Sequence, residues 1–396
     1  MIIKKCQIEY GIILFILFYP EGFRNSKVLY NAINILQIFA WIYCMLKYTQ
    51  RFFRASRAIK RVSRLIILYS FYGLISTYIV SGGTYIAFRN VLLATSLALV
   101  ASDGLTKHKA DFYKTLKFLF LSYIAAEYIT NLLKMKVTFL SGLNRVYQMI
   151  PCLGMLLLLI GQAKGNKGFR NSIHQYIGIV FALALFSGIY MGNGIEAGLL
   201  ICAIAFIVPF VYRKSKLAKL NVWWLIGIIA GIFVVFVLKN LQSRFRLLKF
   251  LIEDVLHKDM NISGRADLWM RALGIAQTNS ILGSGLNWQG IDIWYSLFQP
   301  HNQYLYEMIV GGVIGFILFM NIILFVAALL SRNREKPHQI CKFALFSFLL
   351  KFIFTNMAFA QNFPFWIMLL IIAGECRITS VSNIRFKWTN RYCSPN

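Results

Sequence analysis

The sequence is poor in charge. Charged residues make up 14% of its 396 positions, against 58% hydrophobic and 16% aromatic, and the mean hydropathy is +0.62. A soluble domain has no use for so much apolar side chain, so that class is excluded and a multi-spanning membrane protein remains. Cysteine is sparse as well. The seven cysteines fall at 6, 44, 152, 202, 341, 376 and 393, in apolar runs or on what reads below as the inner side. None forms a CxxC pair, so neither a disulfide framework nor a thiolate metal site is indicated. Internal repeats, low-complexity tracts and a soluble domain at either end are missing too. The first apolar run, Ile8 to Tyr19 behind Lys4 and Lys5, lacks a small-residue cleavage site and ends in Tyr19-Pro20-Glu21-Gly22. It reads as a retained helix rather than a signal peptide.

What is present is a repeated run of membrane length. A crossing needs about 20 apolar residues. Candidate spans lie at 8–20, 29–48, 64–81, 84–102, 113–133, 146–162, 175–191, 195–212, 222–238, 303–330, 340–358 and 363–376. The expected fold is therefore an all-α integral membrane protein of about twelve transmembrane helices, a single polytopic domain over residues 1–396. Turn residues punctuate several runs: Ser81-Gly82-Gly83, Gly192-Asn193-Gly194, and Gln361-Asn362 before Pro364.

The formal charge of +28 raises the question of nucleic acid. Its distribution answers it. One alternating set of connections, with both tails, holds 28 Lys and Arg, including the cluster from Lys47 to Arg64; the short loops of the other set hold five. Cytoplasmic loops are enriched in Lys and Arg, so both termini are expected in the cytoplasm of a bacterial cell, below its inner membrane. Charge spread over so many loops makes no single patch, so no nucleic-acid partner is expected.

One connection stands apart, residues 239–302, and the alternation puts it outside the cytoplasm. Its first half, Lys239 to His257, reads "KNLQSRFRLLKFLIEDVLH", an amphipathic helix for the membrane surface. Packing against the bundle is an equal reading. In the second half Ser263 can cap a helix running to about Gln277. Arg265, Leu268, Trp269 and Ala272 share one face of it by their spacing. A guanidinium beside an indole suits an anion such as phosphate; the alternative is a helix anchored by Trp269 with Arg265 merely solvated.

His301 follows Pro300 and precedes the tenth span. The positive end of that helix's dipole disfavours an imidazolium, which leaves a neutral ring suited to a general base. A capping or headgroup-zone histidine is the competing reading. Arg89 and Lys351 lie within the outer halves of their spans, where ionisable groups are costly and face polar cavities or one another. They offer further cationic character to an anion site; a Lys351–Glu196 ion pair is the alternative. Gly311 and Gly315 show the spacing of close helix packing.

Taken together, "GRADLWMRALGIAQTNSILGSGLNW" and "PHNQYLYEMIVGGVIGFILF" resemble the O-antigen ligase and polymerase superfamily of bacterial envelope glycan enzymes. The resemblance rests on Gly264-Arg265, Leu268-Trp269, Leu282-Gly283-Ser284-Gly285, His301-Asn302 and Gly311-Gly312, in that order. It covers about 264–320 closely. It implies a GT-C-like membrane glycosyltransferase, independent of metal and without cofactor. The donor would be an undecaprenyl-diphosphate-linked glycan, passed en bloc to an acceptor glycan or glycolipid. By the same resemblance Arg265 would hold the diphosphate and His301 would activate the acceptor hydroxyl. Arg89, Lys351, Trp269 and Asn302 would contact diphosphate or glycan. Many relatives carry a Ser-Arg pair where this chain reads Asn193-Gly194. Polymerase is the leading reading and ligase the alternative. A flippase or transporter would also suit twelve helices, but such proteins often show repeated halves, and none is visible here.

Overall fold

The computed structural model describes residues 4–133, 139–140, 143–191, 196–211, 220–237, 265–293, 296–332, 335–353, 355–356 and 359–376. Every candidate span falls on a helix. In chain order these are α1 (Lys5–Leu17), α2 (Lys27–Arg54), α3 (Arg57–Ser81), α4 (Tyr85–Lys107), α5 (Lys109–Leu132) and α6 (Leu143–Ala163). They continue as α7 (Gly165–Met191), α8 (Glu196–Val211) and α9 (Val222–Val237). After the long connection come α11 (Gln303–Ser331), α12 (Lys336–Phe352) and α13 (Phe363–Glu375). Five of them, α2, α3, α4, α6 and α11, are long and apolar enough to cross a membrane by length and composition. This is a multi-pass membrane protein.

The long connection carries one described helix, α10 (Arg265–Thr278), at the expected place, and a small hairpin that the sequence did not announce. Its strands, β1 (Ile291–Ile293) and β2 (Ser296–Phe298), pair antiparallel with Ile291 opposite Phe298. The expected amphipathic helix at 239–257 and the Ser263 cap lie outside the described residues, as does Asn193-Gly194.

Burial separates centre from rim. The membrane-length windows of α4 and α6 are 72% and 83% buried, those of α2 and α3 only 22% and 33%. Apolar side chains of α2 such as Phe39 and Leu46 face outward, as a lipid-facing rim requires. The short α13 runs through the centre, with Phe365, Ile367 and Met368 fully buried.

The two ends of the bundle differ in chemistry. At the basic end, Lys4 meets Asp111 at 2.9 Å, Arg51 meets Asp103 at 3.1 Å, and Lys109 meets Glu375 at 2.8 Å. At the opposite end, called the mouth below, backbone and amide contacts dominate. Gln37 donates to the carbonyls of Ile16 and Leu17 where α1 stops, and Tyr123 to that of Phe18.

One expected span is shortened. The eleventh was read to 358, but α12 ends at Phe352, and the chain turns through a 3-10 segment, Phe359–Asn362, before α13. Lys351 consequently sits in the last turn of α12, at the mouth.

Candidate active site

The segment Gln299–Gln303 closes the long connection and starts α11. Asn302 caps that helix: its Oδ1 accepts from Leu305 N at 3.1 Å. Its Nδ2 donates to the Ile353 carbonyl, just past α12, at 3.0 Å. Pro300 is held from the other side, its carbonyl accepting from Trp269 Nε1 at 2.8 Å. Trp269 and Asn302 are both 0% exposed. Between these two anchors His301 has φ 48, where among the described residues every other positive φ belongs to glycine. A side chain in that region costs about 1–2 kcal/mol, and such strain persists only where the surroundings over-determine it. His301 is exposed. A buried clamp thus presents one imidazole at the mouth.

Trp269 and Asn302 were expected to touch diphosphate or glycan; in the structure both are fully buried and hydrogen-bonded to the chain on either side of His301. The shared face of α10 is as expected for Leu268, Trp269 and Ala272, all buried. Arg265 is the first residue of that helix; its side chain lies outside the described residues.

The "LGSG" turn has a second partner. Inside α11, Gly312 adopts φ 61 and ψ −165 and interrupts the helix. The freed backbone pairs with the turn: Ser284 N donates to Ile309 O at 2.7 Å, Gly285 N to Val310 O at 3.0 Å, and Val313 N to Ser280 O at 2.8 Å. Tyr72 and Ser76 of α3 donate to the Gly311 and Leu282 carbonyls, each at 2.7 Å. Irregular backbone at membrane depth survives only where such partners exist. A Cβ on Gly283 would lie 2.6 Å from the Val310 carbonyl carbon, so the close approach requires glycine there too. The small-residue spacing of Gly311 and Gly315 was read as helix packing. Both do face Tyr72, but Gly312 between them is the structural feature.

One turn beyond the cap, Glu307 is buried and accepts from Tyr69 at 2.5 Å and Gln303 at 2.7 Å. Lys351 is buried with its Nζ 5.9 Å from the centre of the Tyr147 ring. Arg89, in the second turn of α4, lies against Tyr19 and lines a cleft with Arg24. Arg89 and Arg24 thus line one cleft, and His301 is not among its described lining residues. Arg24 is one of the five Lys and Arg counted in the short loops of the less basic set. Glu196's side chain is outside the described residues.

Residues 179–320 match the family model described as O-antigen ligase. The matched stretch takes in α8, α9, α10, the hairpin, the clamped His301 and the interrupted half of α11. It supports the resemblance read from residues 264–320, and members of that family are membrane glycosyltransferase-like enzymes. Arg89 and Lys351 lie outside the O-antigen ligase stretch. No curated protein matches the chain significantly.

Among the described residues Cys6, His108 and Asp111 bring possible metal ligands within 4.8 Å at the basic end. The Asp111 oxygens already accept from Lys4 at 2.9 Å and Gln7 at 3.1 Å, so a cation would have to displace an ammonium.

Proposed function

We propose that this protein is a surface-polysaccharide polymerase. It moves a glycan en bloc from an undecaprenyl-diphosphate carrier to an acceptor sugar on the outer face of the bacterial inner membrane, with both termini cytoplasmic. The observation that carries the reading is the left-handed His301, fixed between the Trp269 and Asn302 anchors within the O-antigen ligase stretch.

The chemistry follows from the residues. An acceptor hydroxyl is a poor nucleophile until a base takes its proton. Exposed at the mouth, His301 takes that proton as the hydroxyl oxygen bonds to the anomeric carbon. The bond from that carbon to the diphosphate oxygen breaks, and the carrier leaves with its electron pair. Arg265, at the start of α10, stabilises the charge that develops on the diphosphate, and Lys351 and Arg89 add cationic character at the same end. No step calls for a metal or a cofactor. The carrier's hydrocarbon tail stays in the bilayer, which is why such a catalyst spans the membrane.

The test is the surface polysaccharide of cells carrying His301→Ala or Arg265→Ala. Each should remove long chains while the protein remains in the membrane, and loss of a preorganised charge-stabilising donor lowers the rate roughly 100- to 1,000-fold. Glycan arrested at one repeat identifies a polymerase. Bare core with polymer left on its carrier identifies the alternative, an O-antigen ligase. Unchanged ladders in both variants would remove the transferase reading and favour a flippase or transporter.

A further inference from the structure

The outward face of α3 changes character along its length. Arg57, Arg61, Arg64, Leu68, Phe71 and Ile75 recur at intervals of three or four residues, which places them on one face of the helix. All six are exposed. The three arginines lie at the basic end of the bundle and span about 10 Å of helix. The three apolar side chains continue the same face toward the mouth. A bilayer presents the same order of environments, a headgroup layer and then hydrocarbon.

The guanidiniums of this face have no protein anion. No Asp or Glu occurs between Gly22 and Ser102. At the same end Glu9 pairs with Lys47 at 2.6 Å, and Asp103, Asp111 and Glu375 are engaged with Arg51, Lys4 and Lys109. Among the described residues no ion pair reaches Arg57, Arg61 or Arg64. Arg61 is placed over the Phe325 ring of α11 instead, its guanidinium carbon 4.6 Å from the ring centre. That contact orients the group and leaves its edge donors for an acceptor. A second copy of the chain fits this face poorly. Copies in one membrane share an orientation, so a symmetric contact would set arginine against arginine. A phosphodiester offers oxygens that guanidiniums bind bidentately, and a phospholipid brings hydrocarbon for the rest of the face.

We propose that this face of α3 is a binding site for an anionic phospholipid of the leaflet at the basic end. Phosphate oxygens meet Arg57, Arg61 and Arg64, and an acyl chain lies along Leu68, Phe71 and Ile75. Clusters of Lys and Arg beside a membrane-crossing helix recognise such headgroups. The site is at the opposite end of the bundle from His301 and outside the O-antigen ligase stretch. It requires only that α3 crosses a membrane, so it stands whether or not the transferase reading does.

The experiment titrates the full-length protein in detergent with phosphatidylglycerol, cardiolipin or phosphatidylcholine and counts bound lipid by native mass spectrometry. The two anionic lipids should bind in preference to phosphatidylcholine. Arg57→Gln, Arg61→Gln and Arg64→Gln should each weaken that binding about fivefold, the contribution of one cationic side chain at a lipid surface. All three positions are exposed, so the fold survives their replacement. A control variant combines Lys164→Gln, Lys167→Gln and Arg170→Gln, exposed basic positions away from this face. It removes as much charge as the three α3 replacements together and should leave binding unchanged. Cardiolipin bound more tightly than phosphatidylglycerol supports the site with two phosphates held, and equal binding supports it with one. The proposal is overturned if phosphatidylcholine binds as tightly as the anionic lipids, if the single α3 variants bind like the parent, or if the control variant loses as much binding as they do. It is also overturned if Leu68→Ala with Phe71→Ala dissociates a dimer, which would assign the face to a second copy.

Discussion

Alanine at Gly312 should break the junction between α11 and the "LGSG" turn, whereas alanine at Gly311, one residue earlier, should not. Gly312 has φ 61 and ψ −165, a region closed to side chains, and occupying it costs about 1–3 kcal/mol. A Cβ there would lie 2.6 Å from Gly283 N and would also overlap the Ile281 carbonyl oxygen. Both neighbours are backbone, so no side chain can swing aside. The turn would have to withdraw from α11, weakening the bonds from Ser284 to Ile309, Gly285 to Val310 and Val313 to Ser280, at about 1 kcal/mol each. Strain plus two or three bonds comes to about 3–6 kcal/mol. At Gly311 the nearest atom to a new Cβ is the Tyr72 ring, 3.8 Å away. Alanine there adds about 0.5–1 kcal/mol of helix preference. Thermal unfolding of the purified protein in nanodiscs, followed by intrinsic fluorescence, compares the two. Gly312→Ala should melt well below the parent and Gly311→Ala at or above it. Equal shifts in the two variants would refute the broken-helix account.

Three further outcomes follow from the same geometry. Trp269→Phe keeps the buried ring but orphans the buried Pro300 carbonyl; stability should fall by about 1–3 kcal/mol, and long-chain polysaccharide should decline while Trp269→Phe protein still reaches the membrane. An undiminished ladder would mean the clamp is dispensable. His301→Gly and His301→Ala should both be inactive, yet the glycine variant should be the more stable by about 0.5–1 kcal/mol, because only alanine retains the left-handed strain; the reverse order in thermal unfolding would contradict that backbone. A tag inserted after Lys258 should react with membrane-impermeant reagents on spheroplasts without lysis; labelling only after lysis would place residues 239–302 in the cytoplasm and end the proposed orientation.

The helices were legible because hydropathy over about 20 residues is a local signal, and each span in the sequence coincides with a helix. The α12 boundary was misjudged for the same reason. Phe352-Ile353-Phe354 and Ala358-Phe359-Ala360 are as apolar as the helix before them, and apolar content alone does not mark where a helix stops. The β1–β2 hairpin carries three paired positions, too few for an alternating pattern to stand out. Gly311-Gly312 announced that something small was needed but not which of the two was interrupted. That depends on the "LGSG" turn returning to the helix some 30 residues earlier in the chain, a tertiary fact.

The site divides along the same line. Residue type and order brought His301 and Arg265 forward, since an imidazole at a helix start and a guanidinium beside an indole have chemical meaning on their own. The left-handed turn at His301 has none until its anchors are known. Trp269 lies 31 residues before the carbonyl it holds, and Ile353 lies 51 residues after Asn302. Each anchor alone would leave the segment free to relax about the other; together they fix both flanks of a single strained residue. That arrangement explains why a tryptophan and an asparagine that looked like ligand contacts are fully buried. Their hydrogen bonds are spent on the backbone beside the histidine, and the imidazole is the group left facing the mouth.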